Sequence, residues 1–230
     1  MIELSLPQKI AVFAVPGIFA ITVHEVAHGW VARRFGDRTA ELLGRLTLNP
    51  IKHIDPMGTI VVPIVLLMFH APLIGWAKPV PVAYRNLKHP RRDMAIVAAA
   101  GPIVNLVMAI GWVCIARVAF ELGASNGGLV LPLVYQMGLA GLYANVMLAV
   151  FNLLPIPPLD GGRVLNGFLP PRISDTFERL EPVGYLILLL LIFVWRDGFA
   201  SIIGPPVNSL LGLLTRVAGV SPTDLYGLLS

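Results

Sequence analysis

Three residues near the start of the chain have the side chains and the spacing that metal chemistry needs. His24 and His28 lie four positions apart in the sequence His-Glu-Val-Ala-His, and Glu25 follows the first of them. On a helix this spacing places both imidazoles on one face, one turn apart, where they can bind a single Zn²⁺ ion. Glu25 falls on the adjoining face and can accept a proton from water as a general base. The pattern predicts a metal site that can hydrolyse a bond.

A catalytic zinc site takes three protein ligands, and the candidate for the third ligand is Asp160. This residue follows the proline-rich stretch 155–158 and precedes Gly161 and Gly162. Prolines end a helix, and exposed backbone at membrane depth is tolerated only where it lines protein or a watery cavity. A polar loop that simply ends a helix is the alternative interpretation. Beside the His-Glu-Val-Ala-His motif, we favour the metal ligand.

The composition indicates that these residues belong to a membrane protein. Of 230 residues, 56% are hydrophobic and 13% are charged, and the mean hydropathy is +0.78. Soluble domains carry about 25% charged residues, so the composition argues against a soluble enzyme, a disordered protein and a nucleic-acid-binding module. The single cysteine, Cys114, excludes an internal disulfide and a cysteine-rich zinc module.

Five segments approach or exceed the roughly 20 apolar residues that span a bilayer core. They are 10–32, 94–120, 129–154, 183–195 with its flanks, and 199–220, the last of which we expect to break at Pro205-Pro206. A sixth apolar segment, 57–73, is short and contains Pro63, so we expect it to enter the membrane and return. The predicted fold class is an all-α polytopic membrane protein. We expect a helical bundle of about five to six transmembrane segments with a re-entrant, partly extended element after the first helix.

The basic residues support the re-entrant interpretation. They crowd within 33–52 and within 78–92, on either side of the segment 57–73. If this segment returns to the side it came from, both clusters lie on one side, which the positive-inside tendency makes cytoplasmic. We expect a multi-pass protein of a bacterial or archaeal cell membrane whose active site opens toward the cytoplasm. The chain is interpreted as one membrane-embedded domain, 1–230, with a catalytic core over 10–168 and accessory helices over 180–220.

The two motifs together resemble the paired signatures of the site-2 protease family of intramembrane zinc metalloproteases. Other stretches fit this resemblance as well, namely 44–50 (GRLTLNP), 53–59 (HIDPMGT), 75–82 (GWAKPVPV) and 101–105 (GPIVN). The similarity covers roughly residues 20–168 and is closest to the compact prokaryotic branch without a PDZ domain. It implies one zinc ion per chain, held by His24, His28 and Asp160, with Glu25 as the catalytic base. It also implies that Asn152, together with Asn105, lines the cleft and holds the substrate backbone.

Two further stretches allow more than one interpretation. His53 and Asp55 could form an auxiliary metal site, a gate near the cleft, or a turn in which Asp55 caps the segment that begins at Pro56. The turn is favoured. The stretch Lys78–Val82 alternates in a way that suits an edge strand beside which an extended substrate could pair, and an interfacial loop fits it equally well.

The predicted function is hydrolysis of peptide bonds in transmembrane or membrane-inserted proteins, as in regulated intramembrane proteolysis. The expected partners are those substrates and the lipid bilayer, with no nucleic acid, while the oligomeric state and the substrate are not indicated. A membrane metal-binding or transport protein is one alternative, but it gives Glu25 no distinct role. A non-catalytic membrane scaffold is another, although every expected catalytic position is filled.

Overall fold

The computed structural model describes residues 4–68, 77–124 and 128–229, and none of these residues lies in a β-strand. The helices are α1 (Leu6–Arg34), α2 (Thr39–Leu42), α3 (Val62–Met68), α4 (Pro90–Ala119), α5 (Val130–Asn152), α6 (Asp160–Phe168), α7 (Pro171–Glu178), α8 (Glu181–Phe193), α9 (Arg196–Ala218) and α10 (Pro222–Leu229). Short 3₁₀ turns cover Pro50–His53 and Tyr84–Asn86, and π-helical stretches cover Pro56–Val61 and Phe120–Ala124. The prediction of an all-α protein is confirmed.

Four helices within the described residues are long and apolar enough to cross a membrane. They are α1, α4 with its π-helical continuation, α5 and α9. Helix α8 is apolar but has only 13 residues. At about 1.5 Å per residue it measures about 20 Å, which is shorter than the roughly 30 Å of a bilayer core. The protein is therefore a multi-pass membrane protein, and the predicted count of five to six spans is not confirmed.

The expected break in the last long segment is wrong, because α9 continues through Pro205 and Pro206. A residue before proline normally resists the helical conformation because its Cβ clashes with the proline ring. Here that residue is Gly204, which has no Cβ. Beyond the prolines, Val207 and Leu211 continue a buried stripe at four-residue spacing, so packing supports the helix across this point.

The segment predicted to re-enter the membrane is described only as far as Met68, and its residues 69–73 lie outside the described part of the chain. A π-helical stretch, Pro56–Val61, leads directly into α3. The Asp55 side chain caps this stretch by accepting a hydrogen bond of 2.7 Å from the backbone N–H of Gly58. The predicted capping role of Asp55 is confirmed, and the re-entrant path stays a prediction.

The described chain groups into two compact units, each built from separate stretches. The first comprises 1–20, 103–150 and 203–230. Within it, α4 and α5 approach closely, since a Cβ atom on Gly141 would lie 2.4 Å from the ring of Trp112. Small residues of this kind let membrane helices pack at short distance.

The second unit comprises 21–102 and 151–202, and it holds the metal-binding motif. Its core includes the buried side chains of Ala32, Leu87 and Val97. These residues come from α1, from the loop before α4 and from α4 itself. The core therefore fixes the end of α1 that carries the two histidines against the start of α4.

Candidate metal centre

Three predicted ligand atoms converge in the second unit. Nε2 of His24 and Nε2 of His28 are 3.1 Å apart, and both approach Oδ2 of Asp160, at 3.1 Å and 3.3 Å. All three residues are buried, and together they form a group that could hold a metal ion. Ligand atoms around a tetrahedral Zn²⁺ with bonds of about 2.0–2.1 Å are separated by about 3.3 Å. The observed spacing matches that arrangement.

The local sequence explains how Asp160 reaches the histidines. Asp160 is the first residue of α6, and the loop that follows α5 folds back tightly before it. A Cβ atom on Gly161 would lie 2.2 Å from the carbonyl oxygen of Leu153, and one on Gly162 would lie 2.7 Å from the nitrogen of Pro157. Both positions therefore require glycine, as the sequence predicts for a close approach.

The hydrogen bond of one His28 ring nitrogen leaves the other ring nitrogen able to bind a cation. Its Nδ1 lies 2.7 Å from the carbonyl oxygen of Val97, which can only accept a hydrogen bond. In the neutral ring, Nδ1 therefore carries the proton, and the lone pair of Nε2 faces the other two ligand atoms. Oδ2 of Asp160 is buried and has no hydrogen-bond donor. Acceptor atoms this close repel one another unless positive charge lies between them.

Gly101 keeps the space beside these atoms open. A Cβ atom at this position would lie 2.5 Å from Nε2 of His28 and 2.6 Å from Nε2 of His24. Any larger residue would occupy the volume on which the imidazole lone pairs converge. In the sequence, Gly101 belongs to the family-like motif at 101–105. Its distance along the chain from the histidines does not indicate that it leaves space beside their rings. The three ligand atoms and the open space beside Gly101 together fit Zn²⁺.

Glu25 is half-buried on α1 beside the first histidine. One oxygen of its carboxylate accepts a backbone hydrogen bond. Oε2 accepts a hydrogen bond of 2.7 Å from the backbone N–H of Val80. Val80 lies in residues 77–83, which we call the strap. The strap is irregular, so of the two interpretations of Lys78–Val82 the edge strand is not formed and a loop is. Pro79 and Pro81 have no N–H, and the amide between them bonds to a side chain instead of a second strand.

The remaining predicted site residues lie in different surroundings. Asn152 is half-buried at the end of α5. Asn105 is fully buried, and its amide donates to the carbonyl oxygen of Ala20 at 3.3 Å and to the side chain of Asn145 at 2.8 Å. His53 is buried as well, with Nε2 2.9 Å from the carbonyl oxygen of Thr47. Within the described residues His53 is not part of a metal-binding group, and its auxiliary role stays a prediction.

A cleft of about 510 Å³ is lined by the strap and by residues of α6, and its described lining does not include the three ligands or Glu25. One wall is the strap, including Val80, and another is the first two turns of the helix that begins at Asp160, including Arg163 and Asn166. The cleft therefore shares elements with both the catalytic candidate Glu25 and the third ligand. Its size is adequate for a few residues of an extended chain.

Comparison with known proteins gives a consistent set of relatives. The family model described as Peptidase family M50 matches residues 124–195. The Bacillus subtilis protein named "Putative zinc metalloprotease YwhC" is 38% identical over 198 residues, which cover 84% of each chain. "Putative zinc metalloprotease Rip2" of Mycolicibacterium smegmatis is 32% identical over 76% of this chain and 64% of its own length. "Putative zinc metalloprotease MJ0611" of Methanocaldococcus jannaschii is 30% identical over 73% of this chain and 74% of its own. No solved structure matches this chain significantly.

Proposed function

Because this chain belongs to peptidase family M50, the site-2 protease family of zinc metalloproteases, we propose that it hydrolyses peptide bonds in transmembrane or membrane-inserted proteins. The observation that carries the proposal is the convergence of His24, His28 and Asp160 with Glu25 beside them on α1. One zinc ion per chain is the expected complement of this ligand set. When bound, zinc supplies a Lewis acid that polarises a carbonyl group and lowers the pKa of water.

Glu25 is the proposed general base. Its Oε2 is held by the Val80 amide, and Oε1 remains to accept the proton of the attacking water. The water oxygen bonds to the scissile carbonyl carbon, the C–N bond breaks, and Glu25 returns the proton to the leaving amine nitrogen.

A helical substrate must be extended before its carbonyl group can be attacked, since a helix buries its amides in hydrogen bonds. We propose that the cleft beside the strap receives the extended segment, with Asn152 holding substrate backbone. Asn105 stays a proposed substrate-binding residue as well, and its amide donates to the carbonyl oxygen of Ala20 and to the side chain of Asn145. This use corresponds to regulated intramembrane proteolysis.

The proposed location is the cell membrane, with the centre opening toward the cytoplasmic side. The support is the distribution of basic residues, which lie within 33–52 and 78–92 on the two stretches that flank 57–73. Cysteines introduced at Arg38 and at Arg85 are expected to react with a membrane-impermeant reagent from the same side. Labelling from opposite sides would contradict this topology.

The function is tested by replacing Glu25 with Gln, which keeps the size of the side chain and removes the base. Membrane fractions of cells with the wild-type chain and with Glu25→Gln are compared by proteomics for shortened membrane proteins. We expect fragments in wild type only, a cleavage rate at least about 100-fold lower in the variant, and equal zinc content in both. Glu41→Gln is the matched control, because Glu41 pairs with Arg38 at the surface.

If the same fragments form at the same rate in cells with Glu25→Gln, the base of this chain does not produce them, which would contradict the protease and leave the metal-binding or transport protein as the alternative. Cleavage by the wild type that persists in 1,10-phenanthroline would refute the metal mechanism. Loss of zinc from Glu25→Gln would show that the glutamate is a ligand and contradict its role as a base.

A further inference from the structure

The strap presents a single amide to the catalytic base. Between Lys78 and Val82 only Val80 has a backbone N–H, because the residues on both sides of it are prolines. That N–H donates to Oε2 of Glu25 at 2.7 Å. A hydrogen bond to an ionised carboxylate is stronger than one between neutral groups, so it can orient the side chain.

Arg45 fixes the strap just before this amide. Its guanidinium donates to the carbonyl oxygen of Lys78 at 2.8 Å and to that of Pro79 at 3.3 Å. Both bonds come from Nη2, so one terminal nitrogen of the guanidinium holds two consecutive carbonyl groups of the strap. Arg45 is half-buried, and its Nε has no hydrogen-bond partner. The backbone of His53 adds a further bond, since its carbonyl oxygen accepts from the N–H of Lys78 at 2.8 Å.

The strap is also seated on the helix that carries Glu25. Gly29 lies four residues beyond Glu25, on the same face of α1. A Cβ atom on Gly29 would lie 2.8 Å from Cγ1 of Val80, so glycine at this position lets the strap approach the helix. At its far end the strap is anchored where the N–H of Ala83 donates to Asp37 at 2.6 Å.

We propose that Arg45 is a positioning residue for the catalytic base. By holding the carbonyl groups of Lys78 and Pro79, it directs the Val80 amide onto one oxygen of Glu25 and leaves the other oxygen for proton transfer. This inference rests on the proposed role of Glu25 as the base. A base that can rotate away from the water loses rate without losing substrate or metal, because small misplacements of a catalytic group cost up to about 100-fold.

The first test separates the hydrogen bond from the packing at Val80. Val80→Pro removes the N–H, whereas Val80→Ala keeps the N–H and removes most of the contact with Gly29. The substrate is the tagged membrane protein identified by the Glu25→Gln comparison, assayed with the full-length zinc-loaded chain. We expect Val80→Pro to lower kcat at least about 10-fold, with KM and zinc content within about 2-fold of wild type. Val80→Ala is expected to lower kcat less than Val80→Pro does, because it retains the N–H that donates to Glu25.

The second test acts at Arg45 itself. Arg45→Ala is expected to lower kcat about 10-fold at unchanged KM and zinc content, and Arg45→Lys to restore part of that loss because an ammonium can reach one carbonyl. Arg38→Ala is the control, because the described bonds of Arg38 are to Glu41 on the surface. Its kcat is expected to match wild type.

The outcomes distinguish this inference from the proposed function. If Glu25→Gln is inactive while Val80→Pro and Arg45→Ala cleave at the wild-type rate, Arg45 has no positioning role and the protease stands. If Val80→Pro and Val80→Ala lose kcat equally, packing and not the amide matters, and the inference is wrong. If Arg45→Ala loses zinc, Arg45 acts on the fold of the centre, which also contradicts the inference. Full activity of Glu25→Gln would remove the proposed function and the inference together.

Discussion

Asp37 and Asp160 are both buried aspartates in the same compact unit, but their surroundings are opposite. Asp37 is 1% exposed and Asp160 is 7% exposed. Asp37 accepts hydrogen bonds from the backbone N–H and the hydroxyl of Thr39, from the N–H of Ala83 and from the amide of Asn86. Oδ2 of Asp160 has no donor and faces two imidazole nitrogens. Burial of a carboxylate alone therefore does not mark a binding site. A buried carboxylate without backbone or amide hydrogen-bond donors around it does.

The first unit contains a second example of a completed polar cluster. Asn105 donates to the side chain of Asn145, and Asn145 donates in turn to the carbonyl oxygen of Gly141. Both side chains are fully buried in long apolar helices. Amides supply donors as well as acceptors, so this pair needs no ligand. The centre at His24, His28 and Asp160 instead brings two imidazole nitrogens and a carboxylate oxygen together, and a metal cation would bind all three.

The largest expected effect is at Gly101, where Gly101→Ala would fill the space beside the two imidazole nitrogens. The added Cβ would lie within 2.6 Å of both imidazole Nε2 atoms, in the space where the metal belongs. We expect bound zinc below about one tenth of the wild-type content and cleavage lowered at least about 100-fold, because the chemistry depends on the metal. Zinc is measured by elemental analysis of the purified protein.

Gly111→Ala is the matched control on the same helix, since no atom lies within 4 Å of a Cβ atom at that position. It is expected to leave zinc and cleavage at wild-type values. Wild-type zinc content in Gly101→Ala would show that the space between Gly101 and the two histidines is not the metal site.

A smaller effect, on stability and not on zinc content, is expected at Asn105. Asn105→Ala removes a donor from the pair with Asn145 and should lower the free energy of unfolding by about 0.6–1.7 kcal/mol, the range for polar contacts between membrane helices. Zinc content is expected to stay at the wild-type value. A thermal unfolding curve and a zinc measurement on the same sample check both parts. Loss of zinc without loss of stability would contradict the prediction that zinc binding does not depend on the Asn105–Asn145 pair.

The smallest effect is expected at Asp37 and depends on pH. Burial alone would raise the pKa of Asp37, but hydrogen bonds from Thr39, Asn86 and Ala83 outweigh it and lower the pKa below its usual value. A depressed pKa contributes stability above the unfolded-state pKa, and this contribution is lost as the pH falls through the folded-state pKa. Asp37→Asn is expected to lower Tm by about 2–4 °C near pH 7, which corresponds to about 1 kcal/mol.

The Tm difference between wild type and Asp37→Asn should shrink only as the pH falls below about 4, the usual pKa of an aspartate, and through the lower folded-state pKa, because wild type then loses the charged carboxylate as well. A difference that stays constant over this range would show that the charge of Asp37 does not stabilise the fold.

The sequence predicted the features that depend on local spacing. Two histidines four residues apart must share a helix face, and two glycines after Asp160 indicate a close backbone approach. The structure agrees with both, and four of the predicted apolar segments form helices long enough to cross a membrane. Asp55 as a cap followed from the same local reasoning, because capping joins residues only three positions apart.

The features that the sequence could not predict depend on distant segments. Gly101 lies more than 70 residues beyond the histidines, and nothing in its neighbourhood shows that it faces them. Val80 and Glu25 are 55 positions apart, so the bond between them appears only in the folded chain. The expected break at Pro205-Pro206 was wrong because α9 is packed on both sides of the prolines, where Ile203, Val207 and Leu211 are buried.

The most direct test of the central claim is the zinc content of the purified wild-type chain beside that of His28→Ala and Asp160→Ala. If three acceptor atoms complete their coordination with one cation, wild type binds close to one zinc per chain and each variant loses most of it. Asn145→Ala, measured in parallel, should keep its zinc because its cluster is complete without a ligand. Zinc retained at the wild-type level by His28→Ala and Asp160→Ala, or a wild-type chain that binds none, would contradict the account.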